Sequence, residues 1–425
     1  MTRRRGRITQ LAIAVLCVAG AAWVWPRGLA AEQAEGEDWP VVISQLQQEL
    51  YRRPGHLHTR QQLAVAHNNY GVSLGNQGRW SQAVQELQEA LRLDDANGQA
   101  KNNLSRIHLN QAHDAFKRHE VTEALAAVEQ SLALNPELAQ AYALRGEIEY
   151  GRQRLKEAKA AWARALELDP SQLELAERLA RVTEELPVES DFERLSQAYF
   201  DVRYQEELQR TLGFDVRDAL LEARRTVGGH FSYWPKHKLV VLVYSWESFR
   251  ALRQETPEWV GGQFDGKIRV PLPNGHGDPR LVQQILFHEY THALIHDLSQ
   301  GKCPKWLDEG IAEYEGRTQA PAPLTQLIEA HGRNGLIAWA DLSEQFSQAL
   351  PATDVALAYQ QSYSIVQYLV ERYGMWRIRR LVNAFSSGGA WDETLKAEYR
   401  LKPASLETAW RTWLPEWLSR LKTAP

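Results

Sequence analysis

A pattern of small and apolar residues that returns three times between residues 42 and 184 places the strongest limit on how this chain can fold. Ala83, Ala124 and Ala158 occupy the same place in the three copies, so the spacing is 41 for the first step and 34 for the second. A period of about 34 residues is typical of helix pairs that stack because no single pair can bury its own apolar face. We therefore predict an all-α solenoid over residues 42–184, with a short insertion near residues 95–101 that lengthens a helix or a loop.

The three copies resemble tetratricopeptide repeats. The positions that carry the resemblance are Tyr70, Gly71, Leu74, Gly78, Ala83, Leu87 and Ala90, then Ala112, Ala115, His119, Ala124 and Val128, then Gly146, Tyr150, Ala158, Trp162 and Ala165. The family implies a concave surface that binds a peptide or a partner protein. The competing interpretation is a rigid stalk for the rest of the chain. A half-repeat over residues 41–51 and a capping helix over residues 173–184 are predicted at the two ends.

A second pattern, H-E-x-x-H at residues 288–292, points to metal chemistry. His288 and His292 are four residues apart in a stretch with helical apolar spacing, so both imidazoles lie on one helix face and can bind one Zn²⁺. Glu289 on the same helix can deprotonate a water that the ion holds. A tetrahedral catalytic zinc needs a third protein ligand and one open position. Glu309, in the next helical stretch, is the predicted third ligand.

Other side chains near this motif are weaker candidates for the metal. His296 lies one turn beyond the motif, but three ligands in a row on one helix cannot close a tetrahedron, so we expect it to be solvated or to contact a ligand. Cys303 is the only cysteine outside the N-terminal segment, which leaves no internal disulfide, and we expect a buried thiol rather than a ligand. The alternative for the whole motif is a pair of exposed histidines, which the apolar neighbours Phe287 and Leu294 disfavour.

The segments 288–294 and 304–314 together resemble the gluzincin zinc peptidases, specifically the peptidase MA-like family. The resemblance implies an α+β thermolysin-like zincin domain with a helical C-terminal part over residues 190–425, following the all-α tetratricopeptide solenoid. It also implies Zn²⁺ as cofactor, a polypeptide as substrate, and hydrolysis of peptide bonds by Glu-assisted attack of a zinc-bound water. An edge strand is expected to run beside the active-site cleft.

The same resemblance assigns roles to residues outside the motif. Glu313 is expected to accept a hydrogen bond from a ligand histidine and so fix its tautomer. Tyr359, with Tyr363 as second choice, is expected to stabilise the oxyanion, and ordinary helix packing is the competing explanation for both tyrosines. Residues 261–271 are expected to form a turn and the edge strand, which would pair with an extended substrate. The residues assigned to substrate binding are Gly266, Ile268 and Val270.

The remaining secondary structure of the second domain follows from local patterns. Residues 187–191 mark the junction after the repeats, and helices are predicted over residues 192–213 and 216–227. A run of β-branched residues at 238–244 predicts a strand. The chain is expected to be helical from residue 359 to residue 421.

Residues 1–31 are predicted to be an export signal or a signal anchor. Arg3, Arg4, Arg5 and Arg7 precede an apolar run over residues 11–25, which is shorter than the roughly twenty residues of a transmembrane helix. Small residues suit cleavage after Ala30. We therefore favour export, to the periplasm or another extracytoplasmic space, over membrane association through residues 8–25. A net charge of −4 with mixed signs argues against nucleic-acid binding.

Together these patterns predict an exported zinc metallopeptidase with a tetratricopeptide module for a partner protein or substrate. The alternative is a non-catalytic tetratricopeptide scaffold that retains a zincin fold. The presence of Glu289 counts against this alternative, because a structural zinc site needs the histidines but not a general base. A zinc hydrolase that is not a peptidase is disfavoured by the predicted substrate-pairing strand. No acidic motif precedes the zinc helix to capture a substrate amino terminus, which favours an endopeptidase.

Overall fold

The computed structural model describes residues 38–205, 208, 210–252, 262–272, 278–346 and 350–423. The predicted export or anchor segment, residues 1–31, lies outside these residues. The described chain divides into two compact units, and the boundary falls between Phe192 and Glu193. Within the described parts of the chain, no helix is both long enough and apolar enough to span a membrane.

The N-terminal unit is built from helix pairs. Its helices are α1 (Trp39–Arg52), α2 (Leu57–Asn76), α3 (Trp80–Leu93), α4 (Gly98–Lys117), α5 (Val121–Leu134), α6 (Ala139–Gly151), α7 (Leu155–Leu168) and α8 (Leu173–Glu189). The helix α2 packs on α3, α4 on α5, and α6 on α7, so each predicted repeat is one pair. The helices α1 and α8 pack on the two ends of this array, where a half-repeat and a capping helix were expected.

The unequal spacing of the repeats comes from the first helix of each pair. The helices α2 and α4 each have 20 residues, whereas α6 has 13. The second helices α3, α5 and α7 all have 14 residues. The difference between α4 and α6 equals the difference between the two repeat steps, and it corresponds to about two helical turns. The insertion therefore lengthens a helix, which decides between the two predicted alternatives.

The turn inside each pair has the same backbone geometry. Gly78, His119 and Gln153 occupy equivalent places and have φ values of 72°, 60° and 58°. The next residue in each turn donates its N–H to the carbonyl five positions back, as Arg79 does to Leu74 at 3.0 Å. This hydrogen bond closes a Schellman motif, in which glycine is the residue that adopts a positive φ without a steric cost. Only the first repeat has glycine there.

The C-terminal unit is rich in helices and contains a small mixed sheet. Its strands are β1 (Glu193–Ser196), β2 (Phe200–Tyr204), β3 (Leu239–Ser245), β4 (Gln263–Phe264) and β5 (Ile268–Leu272). Its helices are α9 (Arg210–Phe231), α10 (Trp246–Leu252), α11 (Pro279–Ser299), α12 (Lys305–Arg317), α13 (Thr325–Gly332), α14 (Ala352–Tyr373), α15 (Met375–Phe385), α16 (Trp391–Tyr399) and α17 (Pro403–Thr423), with a 3-10 helix at Trp339–Phe346. In the part of the chain that the structure describes, the strands follow the order β1-β2-β3-β5-β4.

The sheet has a parallel centre and antiparallel edges. Strand β3 pairs in parallel with β2 and β5, and β1 and β4 are antiparallel to their neighbours. The helices α9 and α11 pack on each other and against the sheet. The predicted strand over residues 238–244 is confirmed as β3, and the predicted helix over residues 216–227 lies within α9. The predicted helical end of the chain is confirmed by α14 to α17.

The predicted helix over residues 192–213 is wrong in its first part, because this stretch forms β1 and β2. Phe200, Val202 and Tyr204 are buried in the main core of the unit. Between them, Asp201 forms ion pairs with arginines on β1 and β2. Alternation of apolar and polar side chains over five residues is a strand pattern, and it takes precedence over helical propensity here.

The strand that was expected at the edge of the sheet lies inside it. Strand β5 is bonded to β3 on one side and to β4 on the other, so the described edge strand is β4. Ile268 and Val270 are fully buried in the core. Their side chains therefore belong to the core, and β4 pairs only with Ile268 and Arg269, so the predicted main-chain pairing of this strand with a substrate stays a prediction. Gly266, with φ of 94°, lies in the turn that reverses the chain between β4 and β5. Because of this reversal, the two-residue strand β4 lies at the edge of the described sheet.

Candidate metal centre

The helix that carries the H-E-x-x-H motif is buried along most of its length. Pro279 occupies its first turn, and the side chain of Asp278 accepts a hydrogen bond from the backbone N–H of Arg280 at 2.9 Å, which caps the N-terminus. Leu286 and Leu294 are fully buried in the core on either side of the motif. The helix α11 therefore holds its polar motif in a fixed position within the unit.

The next helix, α12, brings Glu309 to the same place. It packs on α11 and on α14. Leu307 and Ile311 are fully buried in the core. Gly310 permits the close approach of α14, because a Cβ atom there would lie 2.7 Å from the carbonyl oxygen of Ser362. The packing of these small and apolar residues thus fixes the position and rotation of α12, and with them the place of Glu309.

The three predicted metal ligands meet at one point. The Nε2 atoms of His288 and His292 are 3.1 Å apart. The Oε2 atom of Glu309 lies 3.4 Å from the first of these nitrogens and 3.3 Å from the second. Ligand atoms 2.0–2.1 Å from a tetrahedral zinc are about 3.3 Å apart. The three separations therefore match three corners of a zinc tetrahedron, although the residues come from two helices.

Comparison with known families assigns both units. The Peptidase MA superfamily model matches residues 257–416, a range that includes the whole cluster, and the tetratricopeptide repeat model matches residues 71–112 and 109–173. The chain contains a Peptidase MA superfamily domain and a tetratricopeptide repeat region. No curated protein matches the chain.

The solved structures that are similar to part of this chain include two described as TPR domains. The first TPR of Spaghetti (RPAP3), bound to the HSP90 peptide SRMEEVD, is 24% identical, with 30% of this chain and 95% of that chain covered and a TM-score of 0.23. The Arabidopsis OM64 TPR domain is 21% identical, with 30% and 98% covered and a TM-score of 0.23. The crystal structure of MamA is 17% identical, with 38% and 86% covered and a TM-score of 0.24.

The donor atoms of the Peptidase MA superfamily domain suit a divalent cation. Among the described residues, the buried Oε2 atoms of Glu309 and Glu289 have no hydrogen-bond partner, an arrangement that costs free energy unless something binds them. Burial alone would lower the pKa values of His288 and His292, but the nearby carboxylates, chiefly those of Glu309 and Asp308, raise them instead. The negative charge responsible is the charge that a metal ion would neutralise.

A carboxylate lies beside the Nδ1 atom of each predicted ligand histidine. The Nδ1 atom of His292 lies 2.9 Å from an oxygen of Asp308, and that of His288 lies 3.5 Å from an oxygen of Glu313. A carboxylate on Nδ1 favours the tautomer whose Nε2 lone pair is free for a metal. Glu313 thus lies beside His288 at ion-pair distance, while the hydrogen bond expected from the sequence stays a prediction, and Asp308 is a further carboxylate beside His292. The position of Asp308 beside the ligand Glu309 was the available signal for it.

The tyrosine chosen first lies in the cluster, and the second choice lies outside it. The hydroxyl of Tyr359 donates to the Oε1 atom of Glu309 at 3.4 Å, and burial raises the pKa of this tyrosine well above its usual range. Tyr363 packs instead against Trp417, with its ring centroid 5.8 Å away, and beneath the guanidinium of Arg317. Tyr359 is therefore the tyrosine that could act in the chemistry.

The edge strand passes directly beside Glu289. A Cβ atom on Gly262, the residue before β4, would lie 2.6 Å from a carboxylate oxygen of Glu289. Burial is the main cause that raises the pKa of Glu289. His296 packs its ring edge against Phe264 on β4, at 5.6 Å between centroids, and is not among the clustered donors of the described chain. Cys303 is also outside that group and packs against the core.

Proposed function

We propose that this protein is an exported zinc-dependent peptidase, and that its tetratricopeptide repeats bind a partner protein or the substrate. The observation that carries the proposal is the set of three donor atoms, two imidazole nitrogens and one carboxylate oxygen, at the separations of a zinc tetrahedron. Zinc bound by His288, His292 and Glu309 would supply a Lewis acid that polarises a carbonyl group and lowers the pKa of water. Two-histidine, one-glutamate sets with an open position are typical of catalytic zinc.

Glu289 is the proposed general base and acid. It is adjacent to a ligand, almost fully buried, and has a raised pKa, so it can accept the proton of the attacking water and pass it to the leaving amine. Because Gly262 has no side chain, the backbone just before β4 can lie close to this carboxylate. Tyr359 is proposed to donate a hydrogen bond from its hydroxyl to the oxyanion that forms when the carbonyl group is attacked.

The proposed substrate is an extended polypeptide. The described sheet ends at β4, which lies next to the motif helix, and an extended chain could add to this edge by main-chain hydrogen bonds. An edge strand beside the motif helix is the arrangement expected of a thermolysin-like domain, and this fold is part of the proposal. Binding through the main chain within the substrate, rather than through its terminus, favours an endopeptidase.

The test is Glu289→Gln in the full chain, with Glu329→Gln on the exposed face of α13 as the matched control. We expect the parent and both variants to bind one zinc per chain, as measured by elemental analysis. Hydrolysis of an unfolded protein such as casein should fall about 100-fold to 10,000-fold in Glu289→Gln only, because one general acid–base group contributes that much.

Retention of the parent rate in Glu289→Gln would remove this residue as the base. A parent that binds zinc but does not hydrolyse casein would favour the alternative, a tetratricopeptide scaffold that retains the metal centre.

A further inference from the structure

The two oxygens of the Glu309 carboxylate have different surroundings. Oε2 faces the Nε2 atoms of both histidines and has no other described partner. Oε1 points the other way, and the Nζ atom of Lys305 lies 2.6 Å from it. The hydroxyl of Tyr359 is a second, longer contact of Oε1 at 3.4 Å. One oxygen is thus directed to the metal position, and the other is already bound by a cation.

The position of Lys305 in the sequence produces this contact. It is the first residue of α12 and precedes Glu309 by four positions, so both side chains lie on the same face one turn apart. The Glu309 side chain is only 4% exposed, whereas that of Lys305 is 38% exposed. Charge-assisted hydrogen bonds to a buried carboxylate are strong, and the buried partner has little freedom to turn.

We propose that Lys305 is a positioning residue that makes Glu309 bind the metal through one oxygen only, and so keeps the site four-coordinate with its water in place. Without the ammonium group, both carboxylate oxygens could turn toward the ion. The site would then have four donors before any water or substrate arrived, whereas catalytic zinc uses three protein ligands and an open position. The proposal rests on the metal centre proposed above but not on its peptidase activity.

The experiment uses Co²⁺ in place of zinc, because its visible absorption is strong in four-coordinate sites and weaker in five-coordinate sites. The full chain is compared with Lys305→Met, with the conservative Lys305→Arg, and with Lys302→Met as the control. Lys302 is an exposed lysine three residues away that donates to the carbonyl of Ser386 at 2.7 Å. We expect weaker absorption in Lys305→Met alone, where a retained water makes a fifth donor, with the parent spectrum in Lys302→Met and substantial recovery in Lys305→Arg.

An unchanged spectrum in Lys305→Met would overturn the proposal. Loss of Co²⁺ binding in Lys305→Met with an unchanged melting temperature would also overturn it, because Glu309 would then bind through neither oxygen. These outcomes are separate from a failure of the proposed function. A four-coordinate Co²⁺ spectrum in a parent chain without casein hydrolysis would contradict the peptidase and leave the role of Lys305 intact, whereas a parent that binds no Co²⁺ would contradict both.

Discussion

The two units of this protein bury their apolar residues in different ways. In the described part of the N-terminal unit, the buried side chains fall into four separate clusters, each confined to neighbouring helices. In the C-terminal unit, one continuous cluster extends from Phe200 on β2 to Leu418 on α17. Stability in a repeat array is close to a sum of local terms, whereas a single core is lost or kept as a whole. Only the second arrangement joins the helices that carry the three metal donors into one core.

The strongest test of this contrast removes one buried tryptophan from each unit. Trp162 on α7 and Trp410 on α17 are both almost fully buried, and each indole N–H donates to one oxygen at 3.2 Å. Replacement by alanine should cost about 3–5 kcal/mol in either case. Measured by hydrogen exchange, Trp162→Ala should reduce protection mainly over residues 139–189. Trp410→Ala should reduce it throughout residues 193–423.

Two outcomes would break the contrast. Equal loss of protection in α2 and α7 after Trp162→Ala would show that the repeats unfold as one body. Loss of protection confined to α17 and its neighbours after Trp410→Ala would show that parts of the continuous core unfold independently.

A smaller effect is expected from one added methyl group. In Gly310→Ala the new Cβ would meet the backbone of α14, at 2.7 Å from the carbonyl oxygen of Ser362. In Gly75→Ala, within the repeats, it would meet chiefly the end of the Ile107 side chain. Overpacking against backbone lowers the free energy of unfolding by about 1–3 kcal/mol. A glycine-to-alanine change in a helix raises it by up to about 1 kcal/mol, because alanine favours the helix.

We therefore expect Gly310→Ala to lower the free energy of unfolding and to weaken zinc binding, because Glu309 is its neighbour. Gly75→Ala should be close to neutral, because a flexible side chain can move aside. Urea denaturation and a zinc titration measure the two quantities, and equal losses of stability in both variants would contradict the distinction between backbone and side-chain contacts.

The smallest predicted effect depends on pH. His230 on α9 donates to the fully buried carboxylate of Glu315 on α12, at 2.9 Å, and this hydrogen bond raises the pKa of the histidine above 6.5. A raised pKa in the folded state stabilises the protein below the unfolded pKa, and this stabilisation is lost as the pH rises through the folded pKa. His230 is partly exposed, so the effect should be below about 1 kcal/mol.

The melting temperature of His230→Gln should therefore fall below that of the parent by more at about pH 6 than at about pH 9. Arg225→Gln, which removes an exposed ion pair on the same helix, is the control and should show little dependence on pH in this range. If the melting-temperature difference between the parent and His230→Gln grew as the pH rose, a stabilising ion pair between protonated His230 and Glu315 would be ruled out.

Sequence patterns were most informative where chemistry and spacing coincide. The repeat period predicted the helix pairs, and the H-E-x-x-H motif with the downstream glutamate predicted the three side chains that meet in space. Strand β2 was missed although Phe200, Val202 and Tyr204 alternate with polar residues, because so short an alternation also fits a helix. Strand β4 has two residues, too few to form any pattern. The contact of Asp308 with His292 depends on how α12 packs on α11, which no local pattern predicts. Lys305, in contrast, precedes Glu309 by four residues in one helix, so the sequence spacing alone indicates that contact.

The long first helices of the early repeats show how such an array can change its dimensions. Seven added residues rotate a helix by about 700°, only about 20° short of two full turns, so every side chain beyond the insertion still points close to its former direction. Four or five added residues would leave the apolar stripe turned by roughly 40–140° from its neighbours. A helix within a repeat therefore keeps its apolar stripe aligned when it lengthens by about two whole turns. At a rise of about 1.5 Å per residue, a helix of this array can gain about 10 Å in length while its apolar stripe keeps nearly the same direction.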